Sequence, residues 1–403
     1  MPTPQAQMKG VDIAPRTLLL ALLLAIALFY GNLAKESYTD DFRAFYVASM
    51  ATHDHLDPYV NHVDLDEKYA DALWVRKDSR FIYPPSALLF FAPLRLISYK
   101  WSKTAFGVAM TLSMVGVLLL LYRRYPSQMF VLPALFISLP MFMCIDNGQI
   151  DPLILLLALA AFYLEDGVAA GACLGIAIAI KFSPGLLLLW FVADRRWRTV
   201  AWSVAVSGGL ELAALARWGS GYFREFLHDV LHHADAMPPV LEHVFSRLKM
   251  VGNEVLVSPE GVFAYQHDIG GYRQNPLRYL GHAGGALGIG LALGFLVWMR
   301  ASRRGRGLRP EQSFFLFLVV ALLANPLLWA MGLVACFPLI VLLVDSSDTP
   351  NLSSMILVVP FLLTKQVVGE QNFLLWLVCA GYCLWRSGWL RQPGLALVAA
   401  EDQ

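Results

Sequence analysis

Three short stretches of this chain carry reactive groups in unusual company. The first is Asp40-Asp41-Phe42-Arg43-Ala44-Phe45-Tyr46, which follows an apolar run. A carboxylate held at a membrane surface within reach of a hydroxyl can act as a general base. It can also simply cap a helix from about Phe42 to Thr52, with Phe42, Phe45, Tyr46 and Ser49 along one face lying flat in the interface. The second is Lys181, alone inside an apolar segment and followed by Phe182-Ser183-Pro184. An ionisable residue at membrane depth costs roughly 2.5–3.5 kcal/mol on insertion scales, so it marks a functional site unless it snorkels to the surface. A lysine near the outer leaflet can hold a lipid-linked phosphate as a point charge. The third is Asp146-Asn147-Gly148-Gln149-Ile150-Asp151, a tight polar turn between two apolar runs, where Asn-Gly alone would explain the turn.

Other polar groups are weaker signals. His228 and His232 stand four apart, as metal ligands on a helix would. The His-Glu-x-x-His pattern of zinc proteases is absent and the segment is amphipathic, so neither a metal nor a cofactor is expected. Gly252-Asn253-Glu254 follows His243. Tyr83-Pro84-Pro85, and later Asn325-Pro326 with Trp329, sit beside predicted membrane segments, where an aromatic belt would also place Trp329.

The elements that must position these groups follow from composition. Of 403 residues, 57% are hydrophobic and 15% charged, against about 25% charged in soluble domains. Mean hydropathy is +0.55. The apolar residues come in runs, such as Leu18 to Tyr30, Phe106 to Tyr122, Leu153 to Leu164 and Phe314 to Ala324. In hydrocarbon every backbone polar group must be paired internally, so these runs predict helices. The five cysteines lie in or beside apolar runs, which suits small buried hydrophobes rather than a disulfide framework. A net charge of +1 argues against a nucleic-acid partner. The predicted fold is therefore all-α, a polytopic transmembrane bundle of about 11–13 membrane segments forming one integral domain over 1–403.

Predicted spans are 17–34, 101–122, 127–145, 150–164, 197–215, 276–299, 311–328, 331–345, 352–367 and 371–386. The first is read as an uncleaved span rather than a signal peptide. Basic clusters at Arg123–Arg124, Arg195, Arg196 and Arg198, and Arg300 to Arg309, belong in the cytoplasm with the N-terminus. Residues 84–97 would rise only about 21 Å as a helix, short of a core of about 30 Å. That stretch, opened by Pro84-Pro85 and broken at Pro93, is predicted to be re-entrant, and 168–193 to be two half-helices broken at Lys181-Phe182-Ser183-Pro184. In the rival topology 84–97 crosses fully, 168–193 is one kinked span and Arg123–Arg124 lie outside. Two long loops, 35–83 and 216–273, fall outside in the preferred arrangement. The first, with ten acidic and six basic residues, is expected to hold short interfacial helices and catalytic groups.

The order of motifs resembles glycosyltransferase family 87. It runs from Asp41-Phe42 with Tyr46, Asp57-Pro58-Tyr59 and Tyr83-Pro84-Pro85 with Pro93-Leu94, through Gly148-Gln149, Ala170-Gly171, Gly175, Lys181, Pro184 and Arg195-Arg196-Trp197, to Gly252-Asn253 and Asn325-Pro326-Leu327-Leu328-Trp329. The resemblance covers most of residues 35–335. It implies a multi-spanning enzyme of the GT-C type in the inner (cytoplasmic) membrane. Such enzymes move a sugar, mannose in mycobacterial members, from a polyprenyl-phosphate donor to a lipid or glycan acceptor at the outer face, usually with inversion and often without metal. The presumed family base maps onto Asp41, with Asp40 as its neighbour. Gly252-Asn253-Glu254-Val255 lacks the serine of a Gly-Asn-Gln-Ser pattern, and Asn325-Pro326 stands where Ser-Pro is commoner. Both departures bear on acceptor recognition.

On that reading Asp41 takes the acceptor proton, while Lys181 and Arg43 meet the charge on the departing phosphate. Asn147, Gln149 and Asn253 bond sugar hydroxyls, with Tyr83, Asn325 and Trp329 also against the substrate. The rival reading is a polar-lipid transporter or flippase without bond cleavage, although the sequence shows no pair of matching halves. A membrane assembly protein whose outer loops bind a partner is a further alternative.

Overall fold

Pro84, Gly148 and Pro184 each interrupt an apolar run, and the architecture is organised around those interruptions. The computed structural model describes residues 40–60, 81–128, 131–234, 275–277, 282–302, 307–325, 330–347, 350–362 and 372–387, with 24, 28, 30, 62, 67–69, 305 and 328. Every regular element among them is helical. Most of the predicted span 17–34 and most of the loop 216–273 lie outside the described residues.

Three described helices are long and apolar enough to cross a membrane: Tyr99–Arg124, Trp197–Trp218 and Ala283–Ala301. At 1.5 Å per residue the first two would rise about 39 and 33 Å. They carry large apolar side chains on the outside, among them Leu112 at 60%, Leu212 at 66% and Val297 at 66% exposure. Surfaces of that kind are stable against lipid rather than water. A fourth candidate is Leu139–Asn147 with Asp151–Tyr163, bent by 117° at the polar turn. The remaining apolar helices, such as Pro85–Leu96, Val168–Ile180, Ser183–Ala193 and Pro310–Leu322, have 10–17 residues.

The predicted segments 127–145 and 331–345 are each broken into shorter elements rather than forming single long helices. Val131–Phe136 and Leu139–Asn147 are separated at Ile137-Ser138, and Ala330–Cys336 is a 3-10 turn before Phe337–Asp345. Pro140 and Pro338 open the later helices, because proline fits a first turn and not a helix interior. Ile340 to Val344 are at most 1% exposed, so this element is packed in protein.

Residues 168–193 form two helices, Val168–Ile180 and a mixed 3-10/α-helix Ser183–Ala193. Lys181 is the extended residue between them (φ −141°, ψ 123°). Val168–Ile180 packs on Trp197–Trp218 through Gly171 and Gly175. A Cβ at Gly171 would come 2.9 Å from the Thr199 carbonyl, and one at Gly175 would come 2.8 Å from that of Ser203. Only glycine allows that approach, the small-x-x-x-small device of membrane helices.

The first described helix is Asp40–His53. It is not a surface helix: Phe42 to Ser49 are all buried. Phe45 stacks on Phe91 at 4.1 Å, Phe42 meets Phe106 at 5.0 Å, and the Tyr46 hydroxyl donates to the Ile97 carbonyl at 3.1 Å. Each aromatic pair adds about 0.5–1.5 kcal/mol beyond its buried area. These contacts fix Asp40–His53 against the broken Pro85–Leu96 segment and the long Tyr99–Arg124 helix.

Candidate active site

Five side chains that converge here leave the backbone at or beside a helix end or break. Asp41 is the second residue of its helix, where the unpaired N–H groups of the first turn favour a carboxylate. Its side chain does not cap that helix but accepts a hydrogen bond from Gln149 Nε2 at 2.5 Å. Gln149 reaches it because Gly148 takes the left-handed conformation (φ +72°) that ends Leu139–Asn147. The Gln149 N–H closes the cap on the Cys144 carbonyl at 2.7 Å. At its other end, Gln149 Oε1 accepts from the Tyr83 hydroxyl at 3.1 Å. Tyr83 is held in turn by the Tyr59 hydroxyl, which donates to the Tyr83 carbonyl at 3.0 Å.

Lys181 points its ammonium at Asp151, 2.8 and 3.0 Å from the two carboxylate oxygens. Asp151 opens the next helix, with Pro152 behind it. Both charges act on Asp41. Burial pushes the Asp41 carboxyl up to about 6, while the Gln149 hydrogen bond and the Lys181 charge pull down and the Asp151 charge pushes up. Asp41 is partly exposed as a residue, while its carboxyl is desolvated by burial. A base poised near 6 is deprotonated at neutral pH and still retains proton affinity.

The other predicted site residues fall in different places. Asp40 begins the same helix as Asp41. Arg43 is 1% exposed and, two residues on, lies roughly 200° around the helix from Asp41. The cation acting on Asp41 is therefore Lys181. Asn147 ends its helix beside the turn and is partly exposed. Asn325 follows Pro310–Leu322, where its carbonyl and that of Leu323 accept from Asn275 Nδ2 at 2.7 and 2.9 Å. Asn253 and Trp329 lie outside the described residues. Among the described residues no group of three or more His, Cys, Asp or Glu is placed to hold a metal ion.

The family model described as Glycosyltransferase family 87 matches residues 81–326, more than half of the chain. The chain belongs to glycosyltransferase family 87. The match includes Tyr83, Gln149, Asp151 and Lys181; Asp41 lies before it and is tied back to it by the Gln149 hydrogen bond. Similar curated proteins are mycobacterial. A polyprenol-phosphate-mannose-dependent alpha-(1-2)-phosphatidylinositol pentamannoside mannosyltransferase of Mycobacterium tuberculosis is 26% identical over 224 residues, 53% of this chain and 50% of that protein. The protein of the same name from Mycolicibacterium smegmatis is 27% identical over 177 residues, 40% of each chain. An alpha-(1->3)-arabinofuranosyltransferase of Mycobacterium tuberculosis is 28% identical over 189 residues, 44% of this chain and 41% of that one. The chain thus spans half or less of the length of these relatives. No solved structure matches it.

Three residues of this family 87 chain were not singled out by sequence reasoning. Asp151 appeared only as the end of a turn. Glu211 is the one acidic residue in the predicted span 197–215. It accepts the Ser86 N–H at 3.2 Å at the start of the broken segment, and a charge inside an apolar run was the signal that could have found it. Asn275 carried no such signal.

Proposed function

We propose that this chain is a membrane glycosyltransferase. It moves a sugar, a mannose-like hexose, from a polyprenyl-phosphate donor to a hydroxyl of a lipid or glycan acceptor, with inversion. The arrangement is a GT-C-type multi-pass bundle in the cytoplasmic membrane, with the N-terminus inside and loop 35–83 carrying the base on the outer side. One observation carries the reading: a buried, hydrogen-bonded carboxyl on Asp41 feels the charge of a lysine set at a helix break. Family membership and the donor named for two relatives support the polyprenyl-phosphate class.

Asp41 takes the proton of the acceptor hydroxyl as that oxygen attacks the anomeric carbon. The bond from the anomeric carbon to the phosphate oxygen breaks, and its electron pair leaves on polyprenyl phosphate. A phosphodiester is already a good leaving group, so no acid is needed to protonate it. The transition state requires positive charge on the phosphate. Lys181 supplies it: an ammonium has three N–H donors, so it can contact phosphate without leaving Asp151. Asn147, Asn253, Asn325 and Trp329 are the substrate-binding residues of this proposal, and Arg43 a second cation for the donor headgroup. Asp40 is the alternative base.

The test is purified full-length protein with a polyprenyl-phosphate sugar and a lipid or glycan acceptor. Release of free polyprenyl phosphate with glycosylated acceptor is expected, and Asp41→Asn abolishes it while insertion and folding persist. Near-normal turnover by that variant removes Asp41 from the role. Movement of intact donor across a vesicle membrane without bond cleavage would make the chain a transporter.

A further inference from the structure

We propose that Gln149, oriented by Tyr83, is a positioning residue that grips one oxygen of the Asp41 carboxylate and leaves the other, Oδ1, as the basic atom. The inference rests on the base role of Asp41. It assigns Tyr83 and Gln149 to that carboxylate rather than to the sugar.

A carboxylate only accepts hydrogen bonds, so the Gln149 amide must present its nitrogen to Asp41. The other end of the amide is then an acceptor, which the Tyr83 phenol satisfies as donor. An amide can be turned end for end in most sites; here a carboxylate on one side and a phenol on the other permit one orientation. Gln149 and Tyr83 are each 7% exposed, so their polar ends are committed inside the protein.

Tyr83 is itself fixed on every side. Its ring packs on Phe45 at 4.9 Å, and Phe45 lies one turn beyond Asp41, on the same face of the helix. Its carbonyl is held by Tyr59, whose N–H bonds Asp57 Oδ1 at 2.9 Å. Asp57-Pro58-Tyr59, Tyr83-Pro84-Pro85, Gly148-Gln149 and Asp41, far apart in sequence, therefore form one chain of hydrogen bonds ending on the base. Groups held this way keep a reacting atom within the narrow tolerance that transfer needs.

The charged and titratable groups around Asp41 bear on the test. Lys181 and Asp151 act on it, and Tyr83 and Cys144 sense its charge. On the elements packed against its helix, the other charged side chains among the described residues are Arg95, Asp146, and Lys100, Lys103, Arg123 and Arg124 of the long helix, while its own helix adds Asp40, Arg43 and His53.

The experiment uses the full chain in detergent, with polyprenyl-phosphate release measured across pH for wild type, Tyr83→Phe, Gln149→Leu and the double variant. Positioning predicts that kcat falls about tenfold for Tyr83→Phe and about a hundredfold for Gln149→Leu, with donor KM unchanged. The acidic limb of the Gln149→Leu profile moves to higher pH, because a donor to the charged carboxylate is lost. The double variant is no slower than Gln149→Leu, as for two links of one chain. If Gln149→Leu fails to fold, Tyr83→Phe decides: lower kcat at constant KM supports positioning. A raised donor KM with unchanged kcat and pH limb overturns it and makes these residues sugar contacts. Full turnover by Asp41→Asn would instead show that the base itself is misassigned.

Discussion

Replacing Asp41 by asparagine should inactivate the protein and stabilise it. The carboxyl is raised from its ordinary 3.8 to about 6 because burial penalises its charge more than Gln149 and Lys181 repay. A group that titrates higher in the folded state favours folding while protonated. Its cost is absent below about pH 4, grows as pH rises from there to about 6, and is complete above that. The difference of about two pH units corresponds to roughly 3 kcal/mol, an upper bound because Asp41 is partly exposed. Asparagine keeps an oxygen that can accept from Gln149 Nε2 and removes the charge. Unfolding of detergent-solubilised wild type and Asp41→Asn should therefore coincide near pH 4 and separate by up to roughly 3 kcal/mol near pH 7, with the variant more stable. Wild-type transfer should fall tenfold per pH unit below about 6. Equal or lower stability of Asp41→Asn at neutral pH would refute the argument, since the charge would then not be the costly form.

Lys181→Gln should reduce transfer by about 100- to 1000-fold, the usual loss when a preorganised partner of developing charge is removed. Polyprenyl-phosphate release at saturating donor reads this directly, and undiminished turnover would take Lys181 out of the donor site. Gly175→Val should destabilise the protein by about 1–3 kcal/mol, because its Cβ would sit 2.8 Å from both the Ser203 carbonyl and Val206 Cβ. Gly208→Ala is the control: its Cβ meets nothing within 4 Å, so chemical unfolding should show no loss.

The sequence shows where helices stop more clearly than how far they run. Pro84-Pro85, Gly148 and Ser183-Pro184 are readable as breaks because proline removes a donor and glycine admits positive φ, both local properties. Long runs such as 101–122 are readable as spans for the same reason. Hydropathy cannot distinguish a run facing lipid from one enclosed by protein, and 331–345, one uniform apolar run in the sequence, folds as a 3-10 turn and a short helix covered by protein. The flat interfacial helix expected after the first apolar run fails likewise, since Phe42 and Phe45 are covered by Phe106 and Phe91 from distant parts of the chain. Within the site, Asp41, Gln149 and Lys181 stand out by type. Their partners do not, because Asp151 meets Lys181 across 30 residues and Gln149 meets Asp41 across 108.

The clustering of these groups at helix breaks has a physical reason. Each break frees backbone polar groups, and in hydrocarbon each unpaired one costs several kcal/mol, so breaks persist where other protein groups meet them. Here they serve one another. Ser86, at the start of the Pro85–Leu96 segment, donates its hydroxyl to the Ala179 carbonyl at 2.7 Å, beside the Lys181 break, while its N–H is taken by Glu211 of the neighbouring long helix. Gln149, at the bend, reaches Asp41 at the start of a third helix and Tyr83 just before Pro84. A carboxylate and an ammonium need the same polar surroundings that the interrupted backbone needs, so one cluster of helix ends and breaks accommodates both. Glu211 belongs to this scheme as a strut: Glu211→Gln keeps an oxygen for the Ser86 N–H and the segment in place, whereas Glu211→Leu strands that donor and loosens the loop on which Tyr83 stands.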